Sequence, residues 1–387
     1  MYLKTFSILA ATVLAGSLLA ACGSSSNSTE TSVATTGSAA STEGAASESG
    51  SSETLVAEPP TEPPTSISVT TPVSKKPPTG VSLAYAVCNL PACEQYTKGF
   101  EEATKALGWK FQTFSFESAK PEPAIQQAIA AGVDYIAING APVELYKNGL
   151  EEANSKGIKV ISAVDTSPPE PEKGLIAQLS GISGYGDKAI AMSDWAINHS
   201  EGTPDLVFVN VPEFPILTAG YERMQKSVAE ECEQCKVSEL GITIAELTKG
   251  QIPAKLVSYL QSQSATNQVV LSFADLLPGV YPALNAAGLT EKVGVTGISE
   301  QPSAISALSK GEVPAWLIDA HESFGWTEVD AAVRDSVGDP QLPNAQSDSQ
   351  FWIADTKQQA KELEETNNSW AGPENYQEEY EAIWKLK

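Results

Sequence analysis

From Val81 onward the chain alternates between two patterns. Short, nearly continuous apolar runs cover Val81–Val87, Lys110–Phe116, Asp134–Ile138, Ile158–Ala163 and Leu175–Gly181. Between the first four, apolar residues recur at helical spacing over Glu94–Leu107, Pro121–Ala131 and Val143–Ser155. Strands buried on both faces need such continuous runs, and their alternation with helices predicts a parallel sheet. Glycine ends helix after helix, in "ALGW", "AAGVD" and "SKGIKV", where a left-handed residue terminates the turn. After a helix over Asp187–Asn198 the pattern starts again. Strands are expected at Asp205–Asn210, Val237–Ile244, Gln268–Phe273, Lys292–Gly297 and Ala315–Ala320. Helices are expected at Thr218–Glu231, Ile252–Ser262, up to Leu284, Pro302–Ser309 and Glu322–Val337. The prediction is α/β: two successive doubly wound units, each with its own core.

Ahead of these units the pattern disappears. From Gly23 to about Gly80 the composition is mostly Ser, Thr, Ala, Gly, Glu and Pro. Such a stretch buries too little apolar surface to offset its chain entropy, so 22–80 is expected to be a disordered tether. Met1–Ala21 carries Lys4, an apolar run from Phe6 and small residues up to Cys22, the layout of an export signal. Its apolar core is too short for a typical membrane span. "LLAAC", Leu18–Cys22, resembles the lipobox of bacterial lipoproteins. That resemblance implies a signal peptide over 1–21, acyl chains on Cys22, and anchoring on the outer face of the cytoplasmic membrane. With Cys22 lipidated, four of the five cysteines remain, as Cys88 with Cys93 and Cys232 with Cys235. Local pairs in an oxidising compartment read as two disulfides.

Charge and motifs narrow the chemistry. With 48 acidic against 24 basic residues the net charge is −24, which argues against nucleic acid or anionic headgroups as partners. The chain has only His199 and His321, no HExxH and no G-x-S-x-G elbow, so neither a zinc hydrolase nor a Ser–His–Asp enzyme is expected. Cys232-Glu-Gln-Cys235 follows the end of a helix among Glu230, Glu231 and Glu233, where the local field opposes a reactive thiolate. "LSGISGYG", Leu179–Gly186, lacks dinucleotide-fingerprint spacing and reads as a chain turn. No enzyme activity, metal or cofactor is expected.

The order of several segments is more specific. "QAIAAGVDYIAINGAP" (Gln127–Pro142), "NSKGIKVISAVDT" (Asn154–Thr166), "GYGDKAIAMSDWAI" (Gly184–Ile197) and "AISALSKGEVPAWL" (Ala304–Leu317) follow one another as in periplasmic binding proteins of the ribose-binding, type I family. The chain resembles that family from about Val81 to its C-terminus. The resemblance implies two Rossmann-like lobes joined by a three-segment hinge, with crossings near Ser180–Ser183, Asp319–His321 and Asp339–Gln350. The N-terminal lobe would be 81–181 plus 321–339, and the C-terminal lobe 182–320 plus 350–387. It also implies a monomer that captures a small polar solute between its lobes and presents it to an ABC permease. The alternative is an extracytoplasmic sensor reporting to a membrane receptor.

Ligands of open parallel sheets bind beyond the carboxyl ends of the strands. Those ends offer Asn89, Glu94, Asn139 and Asp165 in the first lobe. The second offers Phe214, Phe273, Asp275 and Ser299, and the hinge strand adds Asp319 and His321. Aromatic faces with amide and carboxylate side chains suit a sugar. Asp165 and Asp275 read equally well as helix caps, and Phe273 as core. Two positions depart from the resemblance: "VPEFPIL" (Val211–Leu217) lacks the arginine expected after its strand, and Ser299 stands where an Asp is expected. These departures weigh against a simple pyranose and against an anionic ligand.

Overall fold

Five parallel strands build the first lobe: β1 (Ser82–Cys88), β2 (Lys110–Phe116), β3 (Tyr135–Asn139), β4 (Lys159–Ala163) and β5 (Leu175–Leu179), in the order β2-β1-β3-β4-β5. The computed structural model describes residues 55–117, 120–343 and 350–387. Apolar side chains on both faces of this sheet are covered, by one cluster around Leu83, Tyr85 and Trp326 and another around Ala84, Ile125 and Ile136. This is the arrangement that continuous apolar runs require. The predicted Glu94–Leu107 helix is broken in two, Pro91–Glu94 and Thr97–Leu107, and the longer piece ends on left-handed Gly108.

The second lobe repeats the plan with β6 (Asp205–Asn210), β7 (Lys236–Gly241), β8 (Gln268–Leu271) and β9 (Gly294–Gly297), all parallel in the order β7-β6-β8-β9. An antiparallel pair, β10 (Trp316–Asp319) with β11 (Phe351–Ala354), lies beside it. Chain passes from the first lobe to the second between β5 and the Ile182–Asn198 helix. It returns after β10 into the His321–Val337 helix, which packs on the Thr97–Leu107 helix. That contact is unusually close: a Cβ on Gly99 would strike the Glu322 carbonyl, and one on Gly325 would lie 2.9 Å from the Phe100 nitrogen.

Two parts of the expected organisation differ. Residues 55–80 are not a loose tether but a strap laid along the body. Val56 joins the apolar cluster of the second lobe, whereas Ile67, Val69 and Val73 join that of the first. Its backbone is tied at intervals. Ile353 N–H donates to the Pro60 carbonyl at 2.8 Å and Val73 N–H to the Ile383 carbonyl at 2.9 Å. Buried Arg334 donates to the Thr71 carbonyl at 2.7 Å and Trp109 Nε1 to that of Pro78 at 2.8 Å. The strap is held because Val56, Ile67, Val69 and Val73 are each buried against the body. The signal peptide, Cys22 and the remainder of the expected tether lie outside the described residues, as does most of the expected crossing between Asp339 and Gln350.

The second difference concerns 350–387. Only its first part packs with the second lobe, through Trp352, Ile353, Ala360 and Leu363. The Tyr376–Ile383 helix returns to the first. Tyr376, Tyr380, Ile383 and Trp384 make a stripe at helical spacing, and Trp384 stacks on Trp326 with ring centres 5.3 Å apart. Trp384 Nε1 donates to buried Asp330 at 2.7 Å, and the hydroxyls of Tyr380 and Thr327 meet at 2.7 Å. The stripe needs an apolar partner, and the His321–Val337 helix supplies it.

Candidate functional site

Every strand that faces the other lobe ends at one cleft of about 830 Å³, open solvent at its mouth included. From the first lobe come Leu90 and Ala92 after β1, Asn139 and Gly140 at the end of β3, and Val164 after β4. The second lobe contributes Phe214, Ile216 and Leu217 after β6, Ser272 and Phe273 after β8, and Ser299 after β9. His321 enters after β10. A concave, mostly apolar lining with a few convergent polar groups is the kind of surface that binds a small molecule.

Three residues at these strand ends hold left-handed backbone without being glycine: Val164 (φ 53°), Ser180 (φ 44°) and Ser299 (φ 55°). Each such conformation costs on the order of 1–3 kcal/mol, and a β-branched residue such as Val164 is an outlier there. Strain of this kind gathers where the fold must aim chain at a site. Here it sits on the cleft wall and the hinge.

A buried charged group closes the hinge side. Lys188, on the Ile182–Asn198 helix, reaches Asp319 at 2.7 Å, and both side chains are less than a tenth exposed. Ser299 donates to the other Asp319 oxygen. Glu300 accepts from the Asp319 backbone N–H at 2.8 Å and stands 3.3 Å from His321 Nδ1. Burial pulls the His321 pKa down, but the charge and hydrogen bond of Glu300 outweigh it and the net shift is upward. Atoms of Glu300, Asp319 and His321 lie within 4.8 Å of one another, near enough to suggest a cation site. Lys188 already pairs with Asp319 and His321 stands against Glu300, so the group is read as two buried pairs and not as a cation site. Asn139 Nδ2 donates at 2.8 Å to Glu328, whose carboxyl burial pushes well above the usual range.

The lobes touch across the cleft mouth. Gln95 Nε2 donates to the Glu300 carbonyl at 2.8 Å, and Asp275 accepts from the Ala92 backbone N–H. Burial pushes the Asp275 pKa up to about 6, although the Ala92 bond opposes the shift. Opening the lobes would return this carboxyl to water and its ordinary value near 4. The closed form therefore binds a proton that the open form releases, and closure strengthens as pH falls from about 6 towards 4. Ligand affinity is expected to rise about tenfold between pH 7 and pH 5. Asp275→Asn should flatten that part of the profile, which titration calorimetry at several pH values measures.

Of the residues expected from sequence, Asn139, Phe214, Phe273, Ser299 and His321 line the cleft, Asp319 lines the adjoining hinge pocket, and Asp275 bridges the mouth. Asp165 is buried outside the lining, accepting from its neighbour Thr166 N–H at 2.6 Å. Asn89 and Glu94 are exposed and do not line the cleft. Their positions were misjudged because the short Pro91–Glu94 helix turns them outward and presents Leu90 and Ala92 instead. Lys188, Tyr96, Tyr185 and the aliphatic part of the wall, Leu90, Ile216 and Leu217, were missed. Nothing in the sequence set Lys188 apart, because the same helix also carries Asp187, Ser193 and Asp194. Cys88 and Cys93 also face the cleft with Cα atoms 5.5 Å apart, and Cys232 and Cys235 are 5.3 Å apart, both separations that a disulfide spans.

Comparison with known proteins follows the same geometry. No curated protein matches the sequence. Among solved structures, a periplasmic ribose ABC transporter from Conexibacter woesei superposes with a TM-score of 0.62 at 15% identity, covering 75% of this chain and 96% of that one. A 5-methylthioribose transporter solute-binding protein from Thermotoga lettingae gives 0.62 at 18%, covering 82% and 100%. A carbohydrate transporter from Acidothermus cellulolyticus in complex with myo-inositol gives 0.59 at 15%, covering 75% and 98%. At these identities the likeness establishes the two-lobed fold. Among the described residues no helix is long and apolar enough to cross a membrane. A family model of the periplasmic binding protein domain matches residues 85–338, most of the folded body, and the chain belongs to that family of extracytoplasmic binding proteins.

Proposed function

We propose that this protein is the substrate-binding lipoprotein of an ABC importer, which captures a small neutral solute between its lobes and delivers it to a permease. The observation carrying this reading is the single cleft lined by strand ends of both lobes and bridged at its mouth by Asp275–Ala92 and Gln95–Glu300. Binding in such a cleft stabilises the closed form, and hinge closure is the event a permease reads. The internally neutralised Lys188–Asp319 and His321–Glu300 pairs suit an uncharged ligand. Proteins of similar fold described with 5-methylthioribose and myo-inositol are consistent with a sugar-like solute. The protein makes and breaks no covalent bonds, acts as a monomer, and is held at the outer membrane surface by acyl chains on Cys22. Both cysteine pairs are oxidised, and the Cys88–Cys93 bridge braces the loop carrying Leu90.

A thermal-shift screen of the full-length protein against sugars, cyclitols, nucleosides and amino acids tests this reading. A ligand at a hundred times its Kd adds about 2.7 kcal/mol to stability, which at this size raises the midpoint by roughly 5–10 °C. If no class of compound shifts it, the reading fails.

A further inference from the structure

Resting on that reading, we infer that the cleft accepts a solute with two unlike parts: a small hydroxylated head and an alkyl or aryl substituent, not a sugar hydroxylated all round. Hydrogen-bonding capacity is scarce on the walls. Asn139 spends its amide N–H on Glu328, Ser299 spends its hydroxyl on Asp319, and the Tyr185 hydroxyl donates to the Ser272 carbonyl at 2.7 Å. Lys188 and His321 are engaged by Asp319 and Glu300. Among the lining groups, three atoms are fully buried without a hydrogen-bond partner among the described residues: Asn139 Oδ1, Ser272 Oγ and His321 Nδ1, the last standing 3.3 Å from Glu300. Asn139 Oδ1 and Ser272 Oγ, one from each lobe, can accept from and donate to a small polar head.

The rest of the cleft is apolar from both sides. Leu90 and Phe116 belong to the first lobe, and Phe214, Ile216, Leu217 and Phe273 to the second. Phe214 and Phe273 meet edge to face, with ring centres 6.3 Å apart. A hydroxyl held against this wall would lose its water without gaining a partner. An alkyl or aryl group there would remove apolar surface from water on both sides. Neutral charge follows from the paired cations and anions at the hinge.

Matched pairs distinguish this inference from the broader reading. Titration calorimetry of the full-length protein compares glucose with phenyl β-D-glucopyranoside, ribose with its methyl ribosides, and myo-inositol with its monomethyl ethers. The neutral dye N-phenyl-1-naphthylamine probes the apolar wall independently of sugar stereochemistry. The expected result is substituted members binding at least tenfold tighter than their parents, or dye bound one to one. The variant Phe214→Asn should weaken both while folding normally, since Asn is favoured at that helix N-cap position. A parent sugar binding as tightly as its substituted partner overturns the inference and leaves a binding protein. If no sugar, ether, glycoside or dye binds, the inference falls, and the broader reading stands or falls by the thermal-shift screen across the other compound classes.

Discussion

Val69→Asp releases the strap. Limited proteolysis then cuts between residues 55 and 80, where the parent protein resists, and the unfolding midpoint falls by roughly 5–10 °C. Val69 is wholly buried in the first-lobe cluster, beside Ile67 and Val73. A carboxylate there has no partner, so the strap leaves its groove to keep the charge in water. The loss is limited to the net docking energy of the strap, because the rest of the fold survives without it. Exposing Val69 and its neighbours costs on the order of 2–4 kcal/mol, and each kcal/mol moves the midpoint of a unit the size of one lobe by about 2–4 °C. Arg334 also loses the Thr71 carbonyl, though it keeps Asp330 at 2.6 Å. Equal cleavage within 55–80 of parent and variant, with an unchanged midpoint, would mean that the segment is a free tether after all.

Lys188→Met has the largest effect expected of any single change. It leaves Asp319 buried beside Glu300, with the Ser299 hydroxyl and the nearby His321 as all that opposes its charge. Removing one partner of a buried ion pair costs on the order of 3–5 kcal/mol, here a fall of roughly 10 °C. The double variant Lys188→Met with Asp319→Leu should recover much of the loss, because both desolvated charges are then gone. A double-mutant cycle measured by chemical denaturation gives the coupling. Additive single effects would show that the pair is not coupled. The pair spans the junction where the second lobe begins and the hinge strand ends, so the double variant should fold yet close differently on ligand.

Much of this architecture was legible in the residues. Continuous runs such as "DYIAI" and "DLVFVN" became central parallel strands because nothing but burial on both faces explains so little alternation. The strap was misread for a compositional reason. Its apolar residues are isolated among Ser, Thr and Pro, yet in "SISVTTPV" Ile67, Val69 and Val73 stand on one side of an extended chain. A period-two pattern that short carries weight only when a groove exists to receive it, and the groove is a tertiary fact. The return of Tyr376–Ile383 to the first lobe was hidden in the same way: the stripe was visible, but its partner was not.

The site divided along a similar line. Residues directly at strand ends, such as Asn139 and Ser299, fall on the cleft because strand direction fixes where they emerge. Those displaced by a local turn, Asn89 and Glu94, were not placed correctly. The apolar wall went unread because Leu90, Ile216 and Leu217 are indistinguishable in sequence from core. Only the two lobes facing each other make them a surface.

The central claim is that solute closes this cleft. Small-angle X-ray scattering of the full-length protein, with and without the best compound from the binding screen, measures it directly. The prediction is that saturating ligand shifts the scattering towards a smaller radius of gyration, and that Asp275→Asn alters the pH at which half the molecules have closed. Tight, saturable binding with scattering identical in the two states, at every pH from 5 to 8, would contradict it.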